Sequence, residues 1–393
     1  MKILIIGSRI PWPLHDGGAI ATYQMLQGLA ELGAEITYFT FNTRKHFVSP
    51  QDIQTHFPFC RVIACPLNAN PNPVGALLAL LQGKNYNISR FIEPVAKLQL
   101  RALLQKEQFD WVQLEGLYAS PFLDVIKPFG IRISLRQHNA EFQIWERLSA
   151  QSASPVKRWY YSLLAKQLKR YEKQVLKQID ALIPITANDE ALFRSMGATV
   201  PAFVAPVGLQ IGPSPATLPV GHDCFHLGSM EWMPNVEAVK WLINEVWPKV
   251  LQKIPDAKLH LAGKGMLAKD SRFSGAGIVV HGKVQDAQHF MKSHGIMLVP
   301  VFSAGGIRVK ILEGFNAGIP VVSTSVGAAG IPVENQKHLI LADTSVEFAN
   351  AICALVVDEQ RKNELVQHAY SFVKEQFSAI KIMRELLVFY HDN

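Results

Sequence analysis

Residues 295–331, GIMLVPVFSAGGIRVKILEGFNAGIPVVSTSVGAAGI, restrict the fold more than any other part of this chain. The unbroken apolar run 295–300 predicts a strand covered on both faces, as strands of parallel sheets are. Residues 303–306 form a Gly-rich turn, 307–317 predict a helix, and 320–323 predict a second apolar strand. A strand, turn and helix in this order aim backbone N–H groups and the positive end of a helix dipole at one place, which suits an anion such as phosphate. Arg308 and Lys310 fall in the predicted first turn, where cations oppose the dipole unless a negative group neutralises them. Glu313, three residues beyond Lys310, neighbours it on a helix, an arrangement that also suits a plain surface ion pair. The adjoining Gly305, Gly306 and Ile307 tip the reading toward a phosphate-bearing ligand.

The same alternation runs through the rest of the sequence. Strands are predicted at 2–6 (KILII), 35–41, 61–65, 111–114, 132–135 and 181–185. Helices are predicted up to Leu32, where Gly33 stops the first, at 93–106 and at 156–177. The segment 208–221, GLQIGPSPATLPVG, has three prolines and three glycines and reads as a linker. Beyond it come strands at 224–228, 258–262 and 277–281, with helices at 235–251, up to His294, and at 347–357, 359–377 and 379–391. Strands alternating with helices on both sides of a linker predict an α/β chain of two doubly wound, Rossmann-like domains, which bind ligands beyond the carboxyl ends of their strands.

With 393 residues, 49% hydrophobic and 18% charged, the chain is long enough to bury two cores. The apolar run 74–81 is too short to span a bilayer and precedes Lys84, while MKILIIGSRIPW is too short for a signal peptide and reads as a first strand. Cys60, Cys65, Cys224 and Cys353 show no metal-ligand spacing, so reduced thiols and a cytoplasmic location are expected. No Asp-x-Asp triplet and no His/Cys/Asp cluster at ligand spacing occurs, so no catalytic metal is expected. A formal charge of +7 calls for an anionic partner. Without a Cys/His finger, a basic arm or an aromatic RNP pattern, that partner is not nucleic acid.

The run GGIRVKILEGFNAGIPVVSTSVGAAGI resembles the donor-binding segment of glycosyltransferase family 4, the retaining GT-B enzymes, in which seven residues separate two glutamates. Glu313 matches the second glutamate and Gly305 stands in place of the first. The resemblance extends from the opening strand to the final helix. It implies a GT-B fold, two Rossmann-like domains facing each other across a cleft: an acceptor-side domain (1–207), the linker, a nucleotide-sugar domain (222–377), and a terminal helix (378–393) returning to the first domain. It further implies a metal-independent hexosyltransferase that retains anomeric configuration. No cofactor is implied beyond a nucleoside-diphosphate sugar as donor substrate, and the acceptor would be a lipid-linked or envelope hydroxyl in polysaccharide or glycolipid synthesis.

The resemblance and the residues together mark the site candidates. Asp16, Gly17 and Gly18 lie between the first strand and helix; two glycines suit a tight turn, and in the family the matching Gly-Gly loop faces phosphate or sugar. His138, in LRQHNAEF, emerges at a strand's carboxyl end and resembles the family's histidine near the anomeric carbon, with Asp16 the other catalytic candidate. Glu141 either joins that site or caps the helix after it. In HLGSMEWMPN, after Gly228, Ser229 stands where many family members have an arginine, and Pro234 or Asn235 near where they have a lysine, the two cations that hold the diphosphate. Arg308 and Lys310 are expected to replace that charge. Gly263 and Gly282 match segments around the base and ribose, and Glu313 matches the ribose-binding carboxylate.

The predicted helix 156–177 carries Trp159, Leu163, Leu168, Tyr171 and Val175 at helical spacing and seven cations among them, which suits a packed helix with a solvated basic face. It also suits peripheral contact with the anionic inner face of a membrane. A second functional class is a catalytically weak paralogue that binds a nucleotide or partner without turnover, supported by the absent first glutamate at Gly305.

Overall fold

The structure is a computed structural model that describes residues 1–14, 17–70, 72–214, 223–268, 270–303 and 307–393. Asp16, Gly305 and Gly306 lie outside the described residues. The chain divides into two compact units, Met1–Gly208 with Ala379–Asn393, and Leu209–Ser378.

In the first unit, β1 (Lys2–Gly7), β2 (Glu35–Thr43), β3 (Arg61–Leu67), β4 (Trp111–Glu115), β5 (Arg132–Gln137) and β6 (Ala181–Pro184) form one parallel sheet in the order β3-β2-β1-β4-β5-β6. Leu4 and Ile6 of β1, Val112 and Leu114 of β4 and Leu135 of β5 lie in one core, whereas Ile3 and Ile5 lie in another on the opposite face. Helices cover both faces, which is why β1 reads as a continuous apolar run. The terminal helix Ala379–Asp392 packs here against the helix Gly17–Glu31. Met383, Leu386 and Tyr390 join the core, and Tyr390 stacks on Trp111 at 4.6 Å.

In the second unit, β7 (Cys224–Leu227), β8 (Leu259–Ala262), β9 (Ile278–Gly282), β10 (Ile296–Val299), β11 (Val321–Ser323) and β12 (Ile340–Leu341) repeat this topology in the order β12-β11-β10-β7-β8-β9, again all parallel. Counted from its own first strand, each sheet has the doubly wound order 3-2-1-4-5-6, whose direction reverses between strands one and four. The reversal lies between β1 and β4 in one unit and between β7 and β10 in the other.

Several sequence expectations need correction. The helix expected at 307–317 runs Val309–Asn316 with Arg308 at its N-cap, so only Lys310 lies in the first turn. The helix expected at 235–251 spans Met233–Trp241, a π turn Leu242–Val246, and Trp247–Lys253. Pro248 has no amide to donate backwards, and the ladder widens just before it. The stretch 208–221, read as a linker, is tied down at its start: the Leu209 amide donates to the Phe377 carbonyl at 2.7 Å and the Gly212 amide to Asn316 Oδ1 at 3.2 Å. Residues 215–222 lie outside the described residues.

Candidate functional site

In the first unit, Gly7 and Glu115 are paired ends of β1 and β4 at the reversal point. The buried Glu115 collects four donors. Arg136 (2.6 Å), His138 Nε2 (2.6 Å) and Thr22 Oγ1 (3.0 Å) bond its Oε1, and Gln113 Nε2 bonds its Oε2 at 2.9 Å. Burial by itself would raise the Glu115 pKa, but the Arg136 guanidinium, then His138 and Thr22, hold it down to about 2. An ionised carboxylate only accepts, so His138 carries a hydrogen on Nε2. The His138 side chain is 22% exposed, against 5% for Glu115 and 1% for Arg136, so the imidazole is the one member of this cluster that reaches solvent. Behind it, the Tyr390 hydroxyl donates to Gln113 Oε1 at 2.7 Å, and lies 2.7 Å from Ser134 Oγ.

Gly17 and Gly18 form the first turn of the helix Gly17–Glu31 instead of the loop expected before it. Glu141 begins the helix Glu141–Gln151 and accepts from the Tyr118 hydroxyl at 2.8 Å, with burial pushing its pKa up. The cap of that helix is Glu172, from the helix Pro155–Leu176, which accepts from the amides of Glu141 (3.0 Å) and Phe142 (3.3 Å). On the same helix Trp159, expected on the packed face, is 62% exposed beside Val156 at 74%.

In the second unit, the ends of β7 and β10 mark the reversal. His226 of β7 is fully buried and its Nδ1 bonds the Leu298 carbonyl of β10 at 2.9 Å. Burial, and then nearby Lys310, lower its pKa to about 3 and keep it neutral. Just beyond β7, Lys310 Nζ donates to the Leu227 carbonyl at 2.9 Å and to Asn235 Oδ1 at 3.2 Å, instead of pairing with Glu313. Asn235 Nδ2 donates in turn to the Ser229 carbonyl at 2.9 Å. A Cβ on Gly228 would sit 2.7 Å from the Asn235 amide, so only glycine lets this loop close. The ammonium thus lies against the residue that stands near the missing lysine. Burial, then the Arg308 guanidinium, bring the Lys310 pKa down to about 8, with Glu313 opposing. Arg308 is itself buried, and burial raises the Glu313 pKa while Lys310 lowers it.

Gly263 and Gly282 are set by packing. Gly263 has φ +152° and a Cβ there would fall 1.8 Å from the Gly228 carbonyl oxygen; Gly282 has φ +76° with the Ala268 amide in the way. The Gly263 amide donates to the Gly282 carbonyl at 2.9 Å, which fastens the two loops together. Lys264 pairs with Glu231 at 2.9 Å on the surface. Lys310 and the amino end of its helix are therefore brought to the carboxyl end of β7, an arrangement suited to an anion. The fold also gathers His260, His281 and His294, whose ligand atoms lie within 4.8 Å of one another. Spacing along the sequence showed no such cluster.

The chain matches two family models, one described as a glycosyl transferase 4-like domain over residues 16–208 and one as glycosyl transferases group 1 over residues 221–358. An uncharacterized 44.6 kDa protein in the cps region of Klebsiella pneumoniae is 22% identical, with 98% of each chain covered. Among solved structures, HepE of Anabaena in complex with UDP and glucose matches with TM-score 0.65 and 12% identity over 100% of both chains. Sucrose-phosphate synthase from Thermosynechococcus elongatus matches with TM-score 0.70 and 17% identity, covering 100% of this chain and 99% of that one. With both halves matched and the same paired parallel sheets, the chain belongs to the GT-B glycosyltransferases of the family 4 type.

Proposed function

We propose that this protein transfers a hexose from a nucleoside-diphosphate sugar to an acceptor hydroxyl, with retention of anomeric configuration, in the synthesis of an envelope polysaccharide or glycolipid. The observation that carries this reading is the Lys310 ammonium held at the carboxyl end of β7, next to the start of its own helix. Two of its three N–H bonds fix the loop after β7, leaving the third for a phosphate oxygen. As the glycosidic bond breaks, charge grows on the departing diphosphate, and a cation fixed beforehand next to a helix amino end stabilises it without reorganisation. Arg308 and the amides of residues 305–307 take part in the same binding, Glu313 accepts from the ribose hydroxyls, and His138 serves the region of the reacting carbon. Asp16, Gly17 and Gly18 are assigned to the first unit's sugar or phosphate contacts. The UDP and glucose bound by HepE make UDP-glucose the first donor to try, and the cps-region relative supports the polysaccharide setting. Val156 and Trp159, exposed beside Lys157 and Arg158, support peripheral contact with anionic lipid. None of the described helices is long and apolar enough to cross a membrane.

Calorimetric titration with UDP-glucose, UDP and other sugar nucleotides tests the reading. Lys310→Met is expected to weaken binding of the preferred nucleotide by about 10- to 100-fold, the range of one or two hydrogen bonds to a charged group. Unchanged affinity in Lys310→Met and Arg308→Met alike refutes the assignment. Release of free nucleotide on incubation with donor and extracted lipid acceptors identifies an enzyme. Saturable binding without release from any donor identifies the non-catalytic paralogue instead.

A further inference from the structure

We propose that His260, His281 and His294 form a binding site for one divalent transition-metal ion of the zinc type, with His281 directly before Gly282 but none of the three among the donor-binding candidates. The three imidazoles come from different elements: His260 is in β8, His281 in β9, and His294 follows the helix Ala287–Lys292. Their ligand atoms lie within 4.8 Å of one another, and the ring centroids are 4.2 Å (His260 to His294), 5.1 Å (His260 to His281) and 5.8 Å (His281 to His294) apart. His281 falls where the β8 and β9 register shifts, since Leu261 faces Val280 and Ala262 faces Gly282. An extra residue at such an irregularity is freed from the ladder and re-aimed, here onto the face of His260.

The hydrogen bonds around the cluster fix which nitrogens face inward. His294 Nδ1 donates to the Phe290 carbonyl at 2.7 Å, so Nε2 is the nitrogen that can serve a metal. His260 Nε2 lies 3.2 Å from Asp223 Oδ2, so it carries the hydrogen and leaves Nδ1 bare, 2.8 Å from His281 Nε2. A carboxylate and a backbone carbonyl each holding the far nitrogen of an imidazole is the outer-shell pattern of metal-bound histidines. In a tetrahedral zinc site with Zn–N of about 2.0–2.1 Å, ligand nitrogens stand about 3.4 Å apart. The 2.8 Å contact lies below that value and the 4.8 Å limit above it, and rotation of the exposed His281 and partly exposed His260 rings about the buried His294 closes the difference. Without metal, His281 Nε2–H donates to His260 Nδ1. With metal, that hydrogen moves to His281 Nδ1, so three neutral imidazoles bind the ion and no proton is lost. Three nitrogens leave a fourth position for water.

A cluster of three imidazoles with no carboxylate in the inner set selects zinc, cobalt, nickel or copper over magnesium or calcium, which prefer oxygen ligands. Asp223, His260 and His294 lie at or near the starts of strands β7, β8 and β10, whereas His281 lies near the carboxyl end of β9, next to Gly282. The ion therefore ties β7, β8, β9 and the turn before β10 together and serves the frame of this unit, with one ligand beside the Gly282 turn.

The test uses the full chain freed of metal with a chelator. Co²⁺ titration followed by visible absorption is expected to give tetrahedral d–d bands saturating at one equivalent, and Zn²⁺ to displace them and raise the unfolding temperature, while Mg²⁺ does neither. His281→Ala changes an exposed side chain and is expected to abolish the bands and the shift. Asp223→Asn, which leaves the three ligands in place, is expected to weaken Co²⁺ binding by about 10-fold or more. Absence of the bands in the unaltered protein, or bands that persist undiminished in His281→Ala, overturns the proposal.

Discussion

Lys310 and Glu115 are both charged groups held away from water at the end of a parallel strand, yet the protein shifts them for opposite reasons. Glu115 is surrounded by donors, so its charge is favoured when folded; for Lys310 burial and the Arg308 guanidinium outweigh Glu313, so its charge is disfavoured. A bound diphosphate would favour the ammonium and raise its pKa from about 8. Nucleotide affinity should therefore be full below pH 8 and fall by up to tenfold per unit above it, while Lys310→Met should bind weakly with a flat profile from pH 7.5 to 9.5. Titration calorimetry at several pH values reads this directly. For Glu115 the folded pKa of about 2 is depressed below the unfolded value near 4.5, so its contribution is present above pH 4.5 and lost as pH falls toward 2. That contribution is about 3 kcal/mol by linkage, and Glu115→Gln further leaves the Arg136 charge buried without its partner. Urea unfolding should show Glu115→Gln destabilised by at least about 3 kcal/mol at pH 7, the two proteins converging as the pH approaches 2. Donor turnover should fall as well, because a neutral amide holds the His138 Nε2–H less firmly than the carboxylate does.

The longer elements were legible because a parallel strand buried on both faces leaves an unmistakable apolar run, as in KILII and IMLV, and because the helices between are long and periodic. Shorter elements left too little pattern. β12 has two residues, and the helices Tyr86–Ser89 and Leu123–Ile126 have four each, too few for a period to register. The helix Ala187–Ser195 did carry a signal, since Thr186 caps it by accepting from the Asp189 amide at 3.0 Å, but the strand before it drew the reading away. The contact between the helices Glu141–Gln151 and Pro155–Leu176 shows a different loss of information. Glu172, an acidic residue on a basic helix, is buried and serves as the amino-terminal cap of the neighbouring helix, whose Phe142 lies 30 residues earlier in sequence. Glu172→Ala strands two amides and should cost about 1–3 kcal/mol. Hydrogen exchange should speed up at Glu141 and Phe142 first, and donor turnover should drop because His138 lies just before that helix. Exchange unchanged at those two amides would mean that the cap is unimportant.

The surroundings of the candidate site residues became legible only through topology. His138, Lys310 and Glu313 could be picked out from local context. Glu115, which orients His138, and Asn235, which receives Lys310, are separated from their partners by 23 and 75 residues, and only strand order brings them together. The same holds for the three histidines of the second unit. The largest such closure joins the two ends of the chain: the terminal helix Ala379–Asp392 places Tyr390 against Trp111 and Gln113, 279 and 277 residues away. Ending the chain at Ser378 would remove Ile382, Met383, Leu386 and Tyr390 from the core of the first unit. At about 1.5–3 kcal/mol for each fully buried side chain, that removes roughly 6–12 kcal/mol, as much as the whole stability of an ordinary domain. The truncated protein should therefore lose hydrogen-exchange protection throughout β1, β4 and β5, while β7 and β10, whose unit ends at Ser378, keep theirs. Tyr390→Phe makes the milder case. It keeps the ring on Trp111 but removes the hydroxyl from Gln113 and Ser134, for about 1–3 kcal/mol, and it loosens Glu115 through Gln113. If turnover in Tyr390→Phe falls while the unfolding midpoint hardly moves, the terminal helix holds the histidine in place; if the midpoint falls and turnover per folded molecule does not, it only closes the core.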